Sequence, residues 1–152
     1  LSIQSIFLTL SKSIREASVD FPVDFCCPVF DQQQVIEKGQ EIFSMLKNLV
    51  LFFCQQPKNK ENMLVLDIHS GSSATEIMIC SKGFLFSDSL IEKIENVNFG
   101  YSEILNFPEL LNYYATKKIM NKLNGNVQFM LLNEEEVVVL MTVPRIAVQT
   151  GF

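Results

Sequence analysis

The sequence has no clustered cations. Lys58-Asn59-Lys60 and Lys117-Lys118 are too short to form a basic surface, and 12 Lys and Arg against 17 Asp and Glu leave a formal net charge of -5. Nucleic acid is therefore not expected as a partner, because phosphate binding needs Lys and Arg gathered on one surface. The chain also lacks a bilayer-spanning run: the apolar stretch over residues 42–54 is interrupted by Lys47 and Asn48 and falls short of the roughly 20 residues a span requires. No membrane partner is expected. Metal ligands are scarce as well. The four cysteines, Cys26, Cys27, Cys54 and Cys80, contain no C-x-x-C pair, and the single histidine, His69, has no Cys or His at zinc-ligand spacing. They read as small buried hydrophobes in a reducing cytosol, with no metal. Ser70-Gly71-Ser72-Ser73 has neither the spacing nor the Lys of a phosphate loop. No basic segment leads into a signal-like apolar region, and the chain opens on Leu1, so a cytoplasmic fragment or processed chain is the expectation.

What the sequence does have is apolar content. At 152 residues, 48% hydrophobic and 19% charged, it fits one globular domain over residues 1–152 with a sizeable core, and neither disorder nor a collagenous repeat. The centre is the run over residues 45–54, whose apolar side chains cover most of a helix circumference and so demand cover on most sides. Asp31 is the expected N-cap of this long helix and Pro57 lies just past its end.

Around it the periodicities alternate. Ile3, Ile6, Phe7, Leu10 and Ile14 form one stripe of an opening amphipathic helix. Residues 19–25 alternate apolar and acidic, as a half-buried strand does, and Pro22 confines that strand to a sheet edge. Residues 57–62 read as a solvated turn, and residues 63–69 as a strand with Leu64, Leu66 and Ile68 on one face. The serine-glycine turn then closes a hairpin with residues 75–81, an interior strand that Gly83 ends. Ser87 is placed to cap a short helix through Ile94, and residues 96–101 have no clear period. Asn106, Phe107 and Pro108 open a last helix with Leu110, Leu111, Tyr114, Ile119 and Leu123 as its buried stripe, terminated by Asn124-Gly125. Val127, Phe129 and Leu131 alternate in one closing strand and Val137, Val139, Met141 and Val143 in the other, with Asn133-Glu134-Glu135 as the turn. Glu134-Glu135-Glu136 is a solvated tip with no cleft partner that would make a carboxylate pair. The fold class expected is α/β, a two-layer sandwich with helices on one face of a mixed, mostly antiparallel sheet.

This order of elements, with Asn48-Leu49 on the central helix, a glycine after a strand, Asn124-Gly125 after a helix and a closing hairpin ending in Val143-Pro144, resembles the ATP-binding domain of histidine kinases, the GHKL fold. The likeness spans nearly the whole chain. It implies where a nucleotide site would lie, and that the site is degenerate. Asn48 matches the first Asn of the family's N-box, but Phe52 stands where the second, which holds the magnesium of ATP, belongs. Ser81-Lys82-Gly83-Phe84-Leu85 aligns with Asp-x-Gly-x-Gly: Ser81 replaces the Asp that reads adenine, and Gly83 is the one glycine left. Pro108, within Asn106-Phe107-Pro108-Glu109-Leu110, falls in the glycine-rich lid, where it supplies no N–H and Glu109 repels phosphate.

A degenerate domain of this shape is similar to the C-terminal half of the alphaproteobacterial ChpT-type histidine phosphotransferases. The segments that carry this are residues 46–51, Ser81-Lys82-Gly83, and residues 107–114 leading to Leu123-Asn124-Gly125. The resemblance implies a pseudo-ATPase domain without cofactor, catalytic residue or metal, which helps dock response-regulator receiver domains in a phosphorelay. In that family the phospho-acceptor His sits on an upstream helical hairpin that also dimerises the protein, so the isolated chain is expected to be a monomer. A divergent ATP-binding domain of a sensor kinase and a non-catalytic scaffold are the alternatives. His69, with only Asp67 on its strand face to manage a proton, reads as an ordinary turn histidine, and Asn48 as a satisfied structural amide.

Overall fold

The computed structural model describes residues 1–19, 22–29, 31–95, 105–106, 108 and 110–145. Helix α1 (Ile3–Ala17) starts at Ser2, whose Oγ accepts from the Ser5 backbone N–H at 3.1 Å, and it buries Ile3, Ile6, Leu10 and Ile14 along one stripe. Its first turn is tied to the segment before the central helix, where Ile3 donates to the Gln34 carbonyl and Ile36 to that of Leu1, both at 2.9 Å.

Helix α2 (Gly39–Cys54) is the core of the molecule, with Ile42, Met45, Leu46, Leu49, Val50, Phe52, Phe53 and Cys54 buried between the sheet and two other helices. It begins later than Asp31 suggested. Asp31 instead accepts from the Gln33 N–H in a local turn, and Lys38, held in the left-handed region at φ 57°, starts the helix without a side-chain cap. At the other end Lys58 Nζ donates to the carbonyls of Cys54 at 2.8 Å and Gln56 at 3.3 Å, and Gln56 Nε2 donates to that of Phe52. Carbonyls at the helix end are thus satisfied, and a cation sits at its negative pole.

The sheet runs in the order β1-β2-β3-β5-β4, built from β1 (Asp24–Cys26), β2 (Lys58–Ser70), β3 (Ala74–Phe84), β4 (Asn126–Asn133) and β5 (Glu136–Pro144). Among the described residues only the β1–β2 pair is parallel. The edge placement of β1 is as expected, but the strand is shorter and begins after Pro22. Residues 58–62, expected as a solvated turn, extend β2 through an irregularity between Lys58 and Met63. Asn62 holds that irregularity, donating through Nδ2 to the carbonyls of Pro22 and Asn59. Opposite it, Gly83 adopts φ +79°, and a Cβ there would collide with the Glu61 carbonyl oxygen. Glycine is required at that crossing.

Helix α3 (Asp88–Glu95) is capped by Ser87, whose Oγ accepts from the Leu90 N–H, as its position predicts. Helix α4 (Leu110–Lys122) buries Leu110, Tyr113, Thr116 and Met120, with Leu123 just beyond, whereas the expected Leu111 is exposed. Thr116 interrupts the visible apolar pattern, and its hydroxyl donates to the Asn112 carbonyl at 3.0 Å. Asn124 then turns left-handed at φ 55° to end the helix. Residues 96–101, expected as a loop, lie outside the described residues. The closing β4–β5 hairpin is as expected, although Leu131, at the irregular end of β4, is exposed.

On the inner sheet face Leu64, Leu66, Ile68, Ile77, Ile79, Val137, Val139, Met141 and Val143 are buried in one cluster with the helices. Their strand neighbours point the other way. The architecture is the expected two-layer α/β sandwich.

Candidate functional site

Four elements converge on the region where the resemblance to histidine kinases implies a nucleotide site: α2, the end of β3, α4 and β4. Asn48 is half-buried and donates through Nδ2 to the Ser44 carbonyl at 3.0 Å, one turn back on its own helix. One turn further on, Phe52 has no exposed surface. Its ring centroid lies 5.5 Å from that of Tyr113, 5.8 Å from Phe86 and 6.1 Å from Phe53. Phe53 meets Phe84 and Phe86 edge-on at 5.8 and 5.6 Å, and Phe129 meets Phe86 at 5.5 Å and Tyr113 at 6.2 Å. These separations are those of attractive offset and edge-to-face aromatic pairs. Six rings thus form a continuous wedge between the central helix and the edge of the sheet.

Burial pushes the Tyr113 phenol up to about 12, so the ring stays neutral in ordinary buffers. Lys117 Nζ lies 5.9 Å from its centroid. Beside the wedge a depression of about 440 Å³ is lined by Ile94, Glu95, Tyr113, Lys117 and residues of β4 from Val127 to Met130.

The remaining candidates have structural partners. Ser81 is buried and its Oγ donates to the Val137 carbonyl on the neighbouring strand at 3.1 Å. Gly83 is explained by the irregularity in β2, and its N–H donates to the Glu135 carbonyl. Pro108 is exposed and its carbonyl accepts from the Leu111 N–H, while Phe107 and Glu109 lie outside the described residues. Asn48 and Phe52 share one helix, and Ser81 and Gly83 share one strand whose terminal Phe84 meets Phe53. His69 and Asp67 are exposed on the opposite sheet face, remote from the wedge by strand alternation. Among the described residues no three or more His, Cys, Asp or Glu gather to hold a metal ion. All four cysteines are free thiols; Cys27 and Cys54 are buried, but Cys26 and Cys80 are only half-buried, contrary to the expectation for them.

The sequence alone did not identify Phe86 and Tyr113 as neighbours of Phe52. Tyr113 was legible in part, since Leu110, Tyr113, Met120 and Leu123 share a helical face once Thr116 is allowed in it.

Solved structures similar to this chain include the catalytic domain of histidine kinase ThkA, at 16% identity and a TM-score of 0.68, covering 95% of this chain and 94% of that one. The blue-light activated histidine kinase of Erythrobacter litoralis is similar at 9% identity and a TM-score of 0.70, over 95% of this chain and 42% of that one. The histidine kinase AdeS of Acinetobacter baumannii is similar at 10% identity and a TM-score of 0.66, over 95% and 65%. The fold is that of a histidine-kinase catalytic domain. No protein-family model and no curated protein sequence matches the chain. Within this GHKL-like fold, the aromatic wedge occupies the layer between helices and sheet, and no helix among the described residues is long and apolar enough to cross a membrane.

Proposed function

We propose that the chain is a nucleotide-free pseudo-ATPase domain of a histidine phosphotransferase, acting in a cytoplasmic two-component phosphorelay and helping to dock response-regulator receiver domains. The observation that carries the reading is the complete burial of Phe52 among Phe53, Phe86 and Tyr113. A magnesium ligand at this position would need an oxygen atom facing a hydrated cleft; a benzyl ring packed on three others offers neither. Ser81, whose hydroxyl is engaged by the Val137 carbonyl, also gives no carboxylate for an adenine amino group.

Such a domain has no chemistry of its own to perform. Its contribution is a rigid shape beside a histidine-bearing hairpin supplied from elsewhere, with Gln4, Lys12, Arg15 and Glu16 of α1 as the polar rim proposed to lie nearest that hairpin. Lys12, Arg15 and Glu16 are exposed, while Gln4 is half-buried and hydrogen-bonded to Gln33. The second reading, a divergent ATP-binding domain, is favoured by the solved kinases that share the fold. Isothermal titration with ATP and magnesium separates the two: no binding heat is expected, and stoichiometric magnesium-dependent binding at micromolar affinity overturns the pseudo-ATPase reading.

A further inference from the structure

The sheet face opposite the buried cluster, on which no helix packs among the described residues, carries a pattern unconnected with the nucleotide site. Strand register places Cys26 beside Val65, Val65 beside Cys80, Cys80 beside Val138, and Val138 beside Met130. One uncharged row therefore crosses all five strands, about 19 Å at the usual interstrand spacing. Met63 on β2 adjoins it on one side, and the register pair Met78 and Leu140 adjoins it on the other. None of these side chains is fully covered: Met63 is 38% and Met130 39% exposed, and the others are half-buried. The open face of an antiparallel sheet is ordinarily polar at alternate positions. Here it is apolar across its middle.

Charge borders the row on both sides. Asp24 lies beside Met63 and Glu136 beside Lys82 on one flank; Asp67 lies beside Met78 on the other, with Glu76 one row further out. In these register positions four carboxylates thus face one ammonium and the His69 imidazole, and Lys60, Glu61 and Glu135 line the surface around Asp24, Met63 and Lys82, adding two carboxylates and one ammonium. Burial, and then Asp67, push the Cys80 thiol up, consistent with a partly covered sulfur under an acidic field.

We propose that this face is a docking surface for a basic amphipathic helix of a partner protein. The apolar row matches the length of about 13 helical residues, and a helix about 10 Å wide laid along it brings Lys and Arg on its flanks to the acidic rows on either side. Charge selects this occupant over a second copy of the chain, because two copies set face to face oppose four carboxylates to four. The aromatic wedge is on the other side of the sheet, so docking here does not depend on whether the domain binds nucleotide.

The test uses the intact chain and a fluorescent synthetic 16-residue helix with a leucine stripe flanked by lysines, against a peptide of the same stripe flanked by glutamates. Anisotropy should show saturable binding of the lysine peptide at micromolar level, weakening with salt, and at least about tenfold weaker binding of the glutamate peptide. Maleimide labelling read by mass spectrometry should slow at Cys80 and Cys26 when the lysine peptide is bound, with buried Cys27 and Cys54 unchanged. Val138→Glu, in the row, and Asp67→Lys, an exposed position that leaves the core intact, should each weaken binding several-fold, while Leu8→Glu on α1 should not. Equal binding of both peptides, no protection of Cys80, or binding indifferent to Val138→Glu and Asp67→Lys overturns the proposal. So does concentration-dependent dimerisation abolished by Val138→Glu, which assigns the face to a second copy.

Discussion

The Phe52 and Tyr113 ring centroids are 5.5 Å apart, and each side chain is buried. This contact joins the central helix to the first half of α4, across the space where the resemblance to histidine kinases implies a magnesium ion. Phe52, which the resemblance sets at a metal-ligand position, is therefore a core residue, and the filling of that space is coupled to the stability of the fold.

The coupling is testable by reversal. Phe52→Asn should not restore ATP binding and should destabilise the chain by about 3 kcal/mol, through lost ring contacts and a stranded amide. Urea unfolding of both proteins measures it, and equal midpoints would show that the ring contributes nothing to the core.

Tyr113 gives a pH signature. Its folded pKa, about 12, lies above the usual value of 10, so the folded state holds the phenolic proton more tightly than the unfolded one. The stability this represents is fully present below pH 10 and is lost as pH rises from about 10 to about 12, on the order of 2 to 3 kcal/mol in all. Tyr113→Phe should flatten the difference over that window in paired denaturation curves. A parallel loss in both proteins would place the alkaline sensitivity elsewhere.

Gly83→Ala should destabilise the chain through its backbone. The backbone is left-handed there and the Glu61 carbonyl oxygen occupies the space an added methyl group needs, so a cost of about 1 to 3 kcal/mol is expected for a strained residue. Thermal melting of the variant reads it directly; an unchanged transition would mean that the β2 irregularity relaxes freely.

The isolated chain should be monomeric and bind an aspartate receiver weakly, because a small polar rim on α1 lies at the low end of stable interface sizes. Joining a histidine-bearing helical hairpin upstream should restore tight binding. Light scattering and a receiver pull-down on both proteins check this, and receiver affinity unchanged by the hairpin would favour the scaffold alternative.

Much of the fold is written in local pattern. The stripe of Ile3, Ile6, Leu10 and Ile14, the alternation of Leu64, Leu66 and Ile68, and Ser87 before its helix each depend on residues a few positions apart, and periodicity reports such neighbours directly. Asn48 and Phe52, the pair that the resemblance to histidine kinases turns on, are legible for the same reason, lying one helical turn apart. Local pattern fails where distant segments compete for the backbone. Asp31 has the chemistry of a cap but is drawn into its own turn, so α2 begins at Gly39 behind a left-handed Lys38. Residues 58–62 look solvated, yet Asn62 reaches the Pro22 carbonyl and Gly83 leaves room for the Glu61 carbonyl, which keeps them in the sheet. Leu111 and Tyr113 are both apolar enough to be buried, and only the position of Phe52 and Phe129 selects Tyr113. Local pattern thus carries most of the elements, whereas which rings fill the layer between helices and sheet is set by tertiary contact, because burial depends on what arrives from the other side of the core.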